Sequence, residues 1–200
     1  MQALFIGSHP AADFLNTAFE PHGEHVEIIG DGKALLEWLQ AAGVLDAEQG
    51  ARLSRKLGVK GLDAAAADVR KFRESMRAWL TRWRAAPGRD YSAEIANLNK
   101  LLESLNVRHE VTRTKEGLER VTRFQVDSID ELLAVLASQI GDLLTQEDPG
   151  LLKSCTGDGC TLWFLDRTKA HRRMFCSATA CGNRAKVAAF RRRAQRARTA

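Results

Sequence analysis

The four cysteines of this chain fall in two pairs of identical spacing, Cys155/Cys160 and Cys176/Cys181, with four residues inside each pair and fifteen between the pairs. Nothing else in the sequence limits the fold so strongly, because bringing two such pairs together demands two tight turns at one point in space. Thiolates bind Zn²⁺ at about 2.3 Å, and four of them close a tetrahedral shell that leaves no position for a substrate. The spacing therefore implies one structural zinc per chain, held by Cys155, Cys160, Cys176 and Cys181, with two disulfides or four unrelated thiols as the alternatives. The opening Met1-Gln-Ala-Leu-Phe-Ile-Gly7 lacks the basic start and long apolar run of a secretory signal. A reducing cytoplasm is the expected location, and there disulfides are disfavoured. Gly157 and Gly159 suit the first turn, and Ser177 suits the N-cap of a helix whose first turn carries Cys181.

Charge divides the chain at the same place. From Leu151 onward twelve Lys and Arg face two Asp, an excess of +10, so the preceding 150 residues carry −5 of the net +5. Such asymmetry points to a polyanionic partner. After Cys181, alanines and basic residues run without a helix breaker. On a helix, Arg184, Arg191 and Arg198 recur every seven residues and share a face, with Lys186 and Arg193 beside it. Together with Arg172, Arg173, Arg192 and Arg196 these are the candidate contacts to nucleic acid, duplex DNA first, and Asn183 and Gln195 are candidate base readers. Asn183 and Arg184 adjoin the last cysteine and equally suit support of the thiolates. Leu162–Asp166 and Arg172–Cys176 are expected to form two short strands, with Asp166 paired to Arg173 or Arg184. His171 is left out of a shell that sulfur already fills. A hairpin and basic helix pinned by zinc have no sizeable core, so metal binding supplies much of their folding free energy, on the order of 10 kcal/mol.

Upstream the periodicity is mainly helical, giving a mainly α (α+β) chain with domains at 1–148 and 151–200. Pro10 opens a short helix with Phe14, Leu15, Ala18 and Phe19 on one face; Asp13, Asn16 and Thr17 beside it form either a small polar site or local backbone partners. His9, His22 and His25 fit a polar loop better than a second metal site. Lys33–Ala42 reads as a helix stopped at Gly43, and Asp46-x-x-Gln49 as a capping box opening another that ends near Gly58. From Asp63 to Ala86, Val69, Phe72, Met76, Trp79, Leu80 and Trp83 fall at helical spacing and read as core, the arginines around them as a solvated face. Ser92–Leu105 follows, then a β-hairpin, Val107–Thr114 and Leu118–Val126, that is expected to lie on the helices. Ser128-Ile-Asp-Glu131 caps a last amphipathic helix ending at Asp148-Pro149-Gly150. No run of apolar residues is long enough to span a membrane.

Cys155-x₄-Cys160-Thr-Leu-Trp-Phe-Leu-Asp-Arg167, Arg172-Arg-Met-Phe-Cys176 and Cys181-Gly-Asn-Arg-Ala-Lys186 resemble the bacterial CGNR zinc finger over about the last fifty residues. The chain departs from that pattern at Met174-Phe175, where an arginine-tryptophan type pair is expected. Asp13-Phe-Leu-Asn-Thr17 and Leu35-Leu-Glu-Trp-Leu39 resemble the ABATE domain, which accompanies this finger in proteins regarded as stress-induced transcription regulators. The resemblance implies a DNA-binding regulator whose N-terminal domain senses a small-molecule or protein signal. RNA binding, with Trp163, Phe164 and Phe175 as stacking platforms, and redox sensing by the cysteines are the alternatives. An enzyme is not expected, since no nucleophile elbow, phosphate loop or zinc-protease motif occurs.

Overall fold

A computed structural model describes residues 4–21 and 23–199, the side chains of 198 and 199 excepted. His22 lies outside the described residues. The chain divides into two units, one Ile28–Gln146 and the other Met1–Glu27 together with Glu147–Ala200. This division differs from the linear one at Asp148–Gly150, because the N-terminal segment belongs in space with the cysteine-bearing region.

In the helical unit, α2 (Gly32–Ala41) starts at Asp31, whose carboxylate accepts from Ala34 N at 2.8 Å. The long α3 (Ala47–Ala85) opens on the expected Asp46/Gln49 capping box, and the expected break at Gly58 is a kink with φ 64 and ψ 179. Beyond it Val69, Phe72, Met76, Trp79, Leu80 and Trp83 are buried. Against α3 packs α5 (Ile129–Gln146), burying Leu132, Leu136, Ile140 and Leu143, and against α5 packs α4 (Ser92–Leu102). Glu131 N–H donates to Ser128 Oγ as the second capping box requires, while its carboxylate accepts from Ser128 Oγ and, in place of Ser128 N, from Asp127 N one residue earlier. The α3 arginines are tied down locally: Arg70 donates to the carbonyls of Ile29 and Gly30, Arg77 pairs with Glu74, and Arg82 with Glu94.

Strands β3 (Val107–Thr114) and β4 (Gly117–Phe124) form the antiparallel hairpin, Val107 opposite Phe124. It does not lie flat on the helices as expected. Val111 and Leu118 are 70% and 75% exposed, and within the ribbon only Val107, Thr112, Val121 and Phe124 are half-buried. The register explains the difference, since Arg108, Glu110, Glu119 and Arg123 occupy one face and Arg113 and Arg120 the other. Neither face offers a continuous apolar stripe to bury.

In the second unit, α1 (Pro10–Leu15) begins at His9, whose Nδ1 accepts from Ala11 N. Two-residue strands β1 (Ala18–Phe19) and β2 (Val26–Glu27) pair antiparallel. Strand β5 (Leu152–Ser154) pairs with β6 (Trp163–Leu165), Leu152 opposite Leu165, and α6 (Asn183–Thr199) closes the chain. Ala11, Ala12, Phe14, Leu15, Leu152, Phe164 and Leu165 are fully buried and form a small core. The partner of β6 is thus upstream, not the expected Arg172–Cys176. That stretch is held by single bonds instead of a ladder: Arg173 N donates to Asp166, and Thr156 N and Oγ1 both donate to Met174 O. Among the described residues no helix is long and apolar enough to cross a membrane.

Candidate metal centre and basic helix

The β5–β6 hairpin carries the first cysteine pair in its loop. Cys155 N donates to Leu162 O and Cys160 N to Gly157 O, which curls the loop back on itself. A Cβ at Gly157 would stand 3.1 Å from both Cβ and Sγ of Cys181, so any larger residue would press the two halves of the site apart by a few tenths of an ångström. The second pair sits where α6 begins. Ser177 Oγ accepts from Ala180 N, and Gly182 N reaches back five residues to Ser177 O, making a wide π-type turn, Ala178–Gly182, that turns Cys181 toward the other sulfurs.

All four sulfurs lie within 4.8 Å of one another. Cys176 Sγ is 3.9 Å from Cys160 Sγ and 3.5 Å from Cys181 Sγ. Metal–sulfur bonds of about 2.3 Å directed to a tetrahedron give sulfur–sulfur edges of about 3.8 Å, so the cluster fits one metal ion. The thiol chemistry also calls for a cation. Burial pushes Cys160 up to about 11, with the neighbouring Cys155 adding to the rise. Burial and the adjacent sulfurs raise Cys176 further. At Cys155 burial also acts upward, but N–H groups of Cys176 and Gly157 aimed at its sulfur bring it below the usual thiol value. Three of the four cysteines are buried and Cys160 is half-buried, and four thiols so close together cannot all ionise without a positive ion among them. Arg184 Nη2, 2.9 Å from Cys181 Sγ, supplies part of that charge. The support role considered for Arg184 is therefore present. His171 is outside the cluster, with Nδ1 3.3 Å from Asp166 O.

Behind the sulfurs lies a polar knot that sequence reasoning assigned differently. Asp166, fully buried, pairs with Lys153 Nζ at 2.6 Å, not with the guanidinium of Arg173 or Arg184. It accepts also from Thr168 N and Oγ1 and from Arg173 N. Burial acts to raise its pKa, but Lys153 and these donors outweigh it and hold the carboxyl well below the usual range. The Arg173 guanidinium stands 4.1 Å over the Phe164 ring and donates to the carbonyls of Phe175, Cys176 and Ile6. Arg173 thus holds the finger together and leaves the inventory of exposed cations.

The N-terminal polar trio acts on backbone. Asn16 exchanges two hydrogen bonds with Trp163, Nδ2 donating to its carbonyl and Oδ1 accepting from its N–H, both at 2.8 Å. Asp13 accepts from Gly7 N at 2.7 Å; burial raises its pKa, partly offset by the N–H groups of Gly7 and Ile6. Thr17 Oγ1 donates to Phe14 O. These bonds of all three go to main-chain atoms. Asn16 is instead a clamp that fixes β6 to α1 across 147 positions of sequence, and no local signal could have revealed it.

Helix α6 carries Arg184, Lys186, Arg191, Arg192, Arg193, Arg196 and Arg198 and no acidic residue. Lys186, Arg191, Arg192, Arg193 and Arg196 are exposed, as is Arg172 in the preceding loop. The Arg198 side chain lies outside the described residues. Arg184 and Arg192 also border a groove of about 700 Å³ between α6 and the first cysteine turn, with Thr156, Gly157 and Asp158 opposite. Met174, at the departure from the finger pattern, is 57% exposed and so alters the surface, not the metal centre.

A family model described as Putative stress-induced transcription regulator, ABATE, matches residues 8–147, well over half of the chain. The chain belongs to the ABATE family. A second model, the CGNR zinc finger, matches residues 152–194 and includes all four cysteines. No curated protein matches the chain. The ABATE match is not one spatial body here: its first twenty residues, with α1 and the Asn16 clamp, belong to the unit that holds the CGNR finger.

Proposed function

We propose that this ABATE protein is a cytoplasmic, zinc-dependent, DNA-binding transcription regulator, in which α6 contacts duplex DNA and the helical unit receives a small-molecule or protein signal. The observation that carries this reading is a helix of seven cations and no anion attached directly to the last cysteine of the centre. Zinc is the ion favoured by an all-sulfur tetrahedral donor set; when bound it offsets half of the thiolate charge and ties the β5–β6 loop to the start of α6. With its shell filled it has a structural role and no catalytic one.

Lys186, Arg191, Arg192, Arg193 and Arg196 are the proposed phosphate contacts, with Arg172 and Arg198 extending the track. Arg184 acts on the thiolate side, and Asn183, exposed at the start of the helix, is a candidate base reader. Duplex DNA is favoured over single-stranded RNA because, of the three stacking platforms such binding would use, Trp163 and Phe164 are 6% and 0% exposed and Phe175 is half-buried.

The test is binding of the zinc-loaded protein to duplex DNA at several salt concentrations. Affinity falls linearly in log–log form, and Arg192→Ala and Arg193→Ala each reduce the slope by about 0.9. Absence of binding at low ionic strength, with one zinc per chain verified by elemental analysis, defeats the reading. Selection of bound fragments from a random pool then separates a sequence-specific regulator from a general polyanion binder.

A further inference from the structure

We propose that the helical unit binds an uncharged, largely apolar small molecule bearing a hydrogen-bond acceptor such as a ketone or quinone carbonyl, in a cleft between the end of α3, α4 and α5. This rests on the reading that the helical unit receives a signal, and it gives that signal a place and a chemistry. The cleft has a volume of about 540 Å³, within the range of about 300–1,000 Å³ usual for small-ligand sites. Trp79, Trp83, Tyr91, Leu98, Leu102 and Leu144 form most of its apolar wall.

One residue of that wall carries an unpaired donor. Trp79 is only 2% exposed, yet its indole Nε1 meets no acceptor among the described residues. Buried indole N–H groups ordinarily have a partner, and leaving a donor unpaired is costly. The other aromatic donor is already committed, since Tyr91 Oη donates to Ala86 O at 3.0 Å. Tyr91 also packs on Trp79, ring centroids 6.4 Å apart, so the aromatic corner is formed before a ligand arrives. An acceptor seated against Trp79 would complete its hydrogen bonding while the ligand's apolar body covers the leucines.

The charges argue for a neutral guest. Asp142 accepts from Gln146 Nε2 at 3.1 Å, and Arg89 lies near enough to Glu94 to add to the pull of Arg82 on that carboxylate. Both acidic and basic groups at the cleft thus engage protein atoms already, Asp142 through a neutral amide, and the apolar wall favours an uncharged guest. The Trp79–Trp83 stripe is ordinary core along α3, and its end doubles as a binding wall.

The probe is 6-propionyl-2-dimethylaminonaphthalene, an uncharged ketone, compared with its 6-propyl analogue, which lacks the acceptor. Both are titrated into the full-length, metal-loaded protein and followed by naphthalene fluorescence. Saturable binding is expected, and Trp79→Phe, which keeps the ring but removes the N–H, shifts the affinity ratio about tenfold toward the propyl analogue. Leu98→Trp fills the cleft and abolishes uptake, with retained helical circular dichroism showing that the unit still folds. Absence of saturable binding overturns the proposal, as does a ratio unchanged by Trp79→Phe. DNA binding measured on the same samples keeps the two readings apart. Saturable binding that leaves DNA affinity untouched removes the signalling role and keeps the site; intact DNA binding without probe uptake removes the site alone.

Discussion

Residues 28–146 bury Trp79, Leu80, Leu132, Leu136 and Ile140 in one continuous apolar interior, whereas the unit at the two chain ends buries Asn16, Asp166 and three cysteines beside a much smaller set of apolar side chains. Apolar packing is non-directional and spread over many contacts, so the loss of one is shared among its neighbours. Hydrogen bonds and metal bonds are directional, and removing one partner orphans the other. The finger unit is therefore held by directional bonds, which suits the proposed presentation of a charged helix. The helical unit spreads its contacts over many apolar side chains, a setting compatible with the proposed ligand cleft.

The largest expected effect is removal of the metal. Chelation, or Cys176→Ser, withdraws a binding free energy on the order of 10 kcal/mol from the finger unit while the helical unit stays folded. Amide NMR spectra are expected to lose dispersion for residues around Trp163 but not around Trp79. Collapse of both sets together would break the contrast between the units. Next, Leu136→Ala, at a fully buried site of α5, costs about 2–5 kcal/mol in denaturant unfolding of the helical unit and leaves zinc content unchanged. Asn16→Ala follows, leaving Trp163 N–H and C=O unpaired, at about 1–3 kcal/mol in the finger unit. Loss of stability in the helical unit instead would show that the clamp belongs to the other body.

The smallest effect is read against pH. The folded pKa of Asp166 lies below the unfolded value of 3.8, so the native state favours the ionised carboxylate. Its stabilising contribution is complete above that unfolded value and disappears as pH falls through it toward the folded one. Asp166→Asn is therefore expected to destabilise the finger unit at neutral pH, with the gap from the parent protein closing under acid. A gap that stays constant with pH would mean that shape, and not charge, makes this residue matter.

Features written in short stretches were legible in the sequence. Asp46 with Gln49, Ser128 with Glu131, Gly58 and Ser177 each act within a few residues of themselves, and each does what its local chemistry implies. The cysteine pairs were legible because metal geometry restricts their spacing. What escaped depends on distant partners. Strand β5 has three residues, too few to show a period, and its pairing with β6 is visible only once Cys155 and Cys160 are seen to share that hairpin's loop. Arg173 looks like any other arginine of a basic stretch, and only the ring of Phe164 and the carbonyls around it reveal its inward role. The hairpin's departure from the helices was readable from its alternating charges, given the register.

The joining of α1 to β6 orders events during synthesis. A ribosome makes the entire helical unit after α1 and before the strand that Asn16 grips, so that unit can fold while the N-terminal segment waits without its partner. Only when translation reaches the second cysteine pair can the sulfur cage assemble. The proposed affinity for a polyanion would thereby be withheld from the nascent chain and arrive last, after the part proposed to govern it.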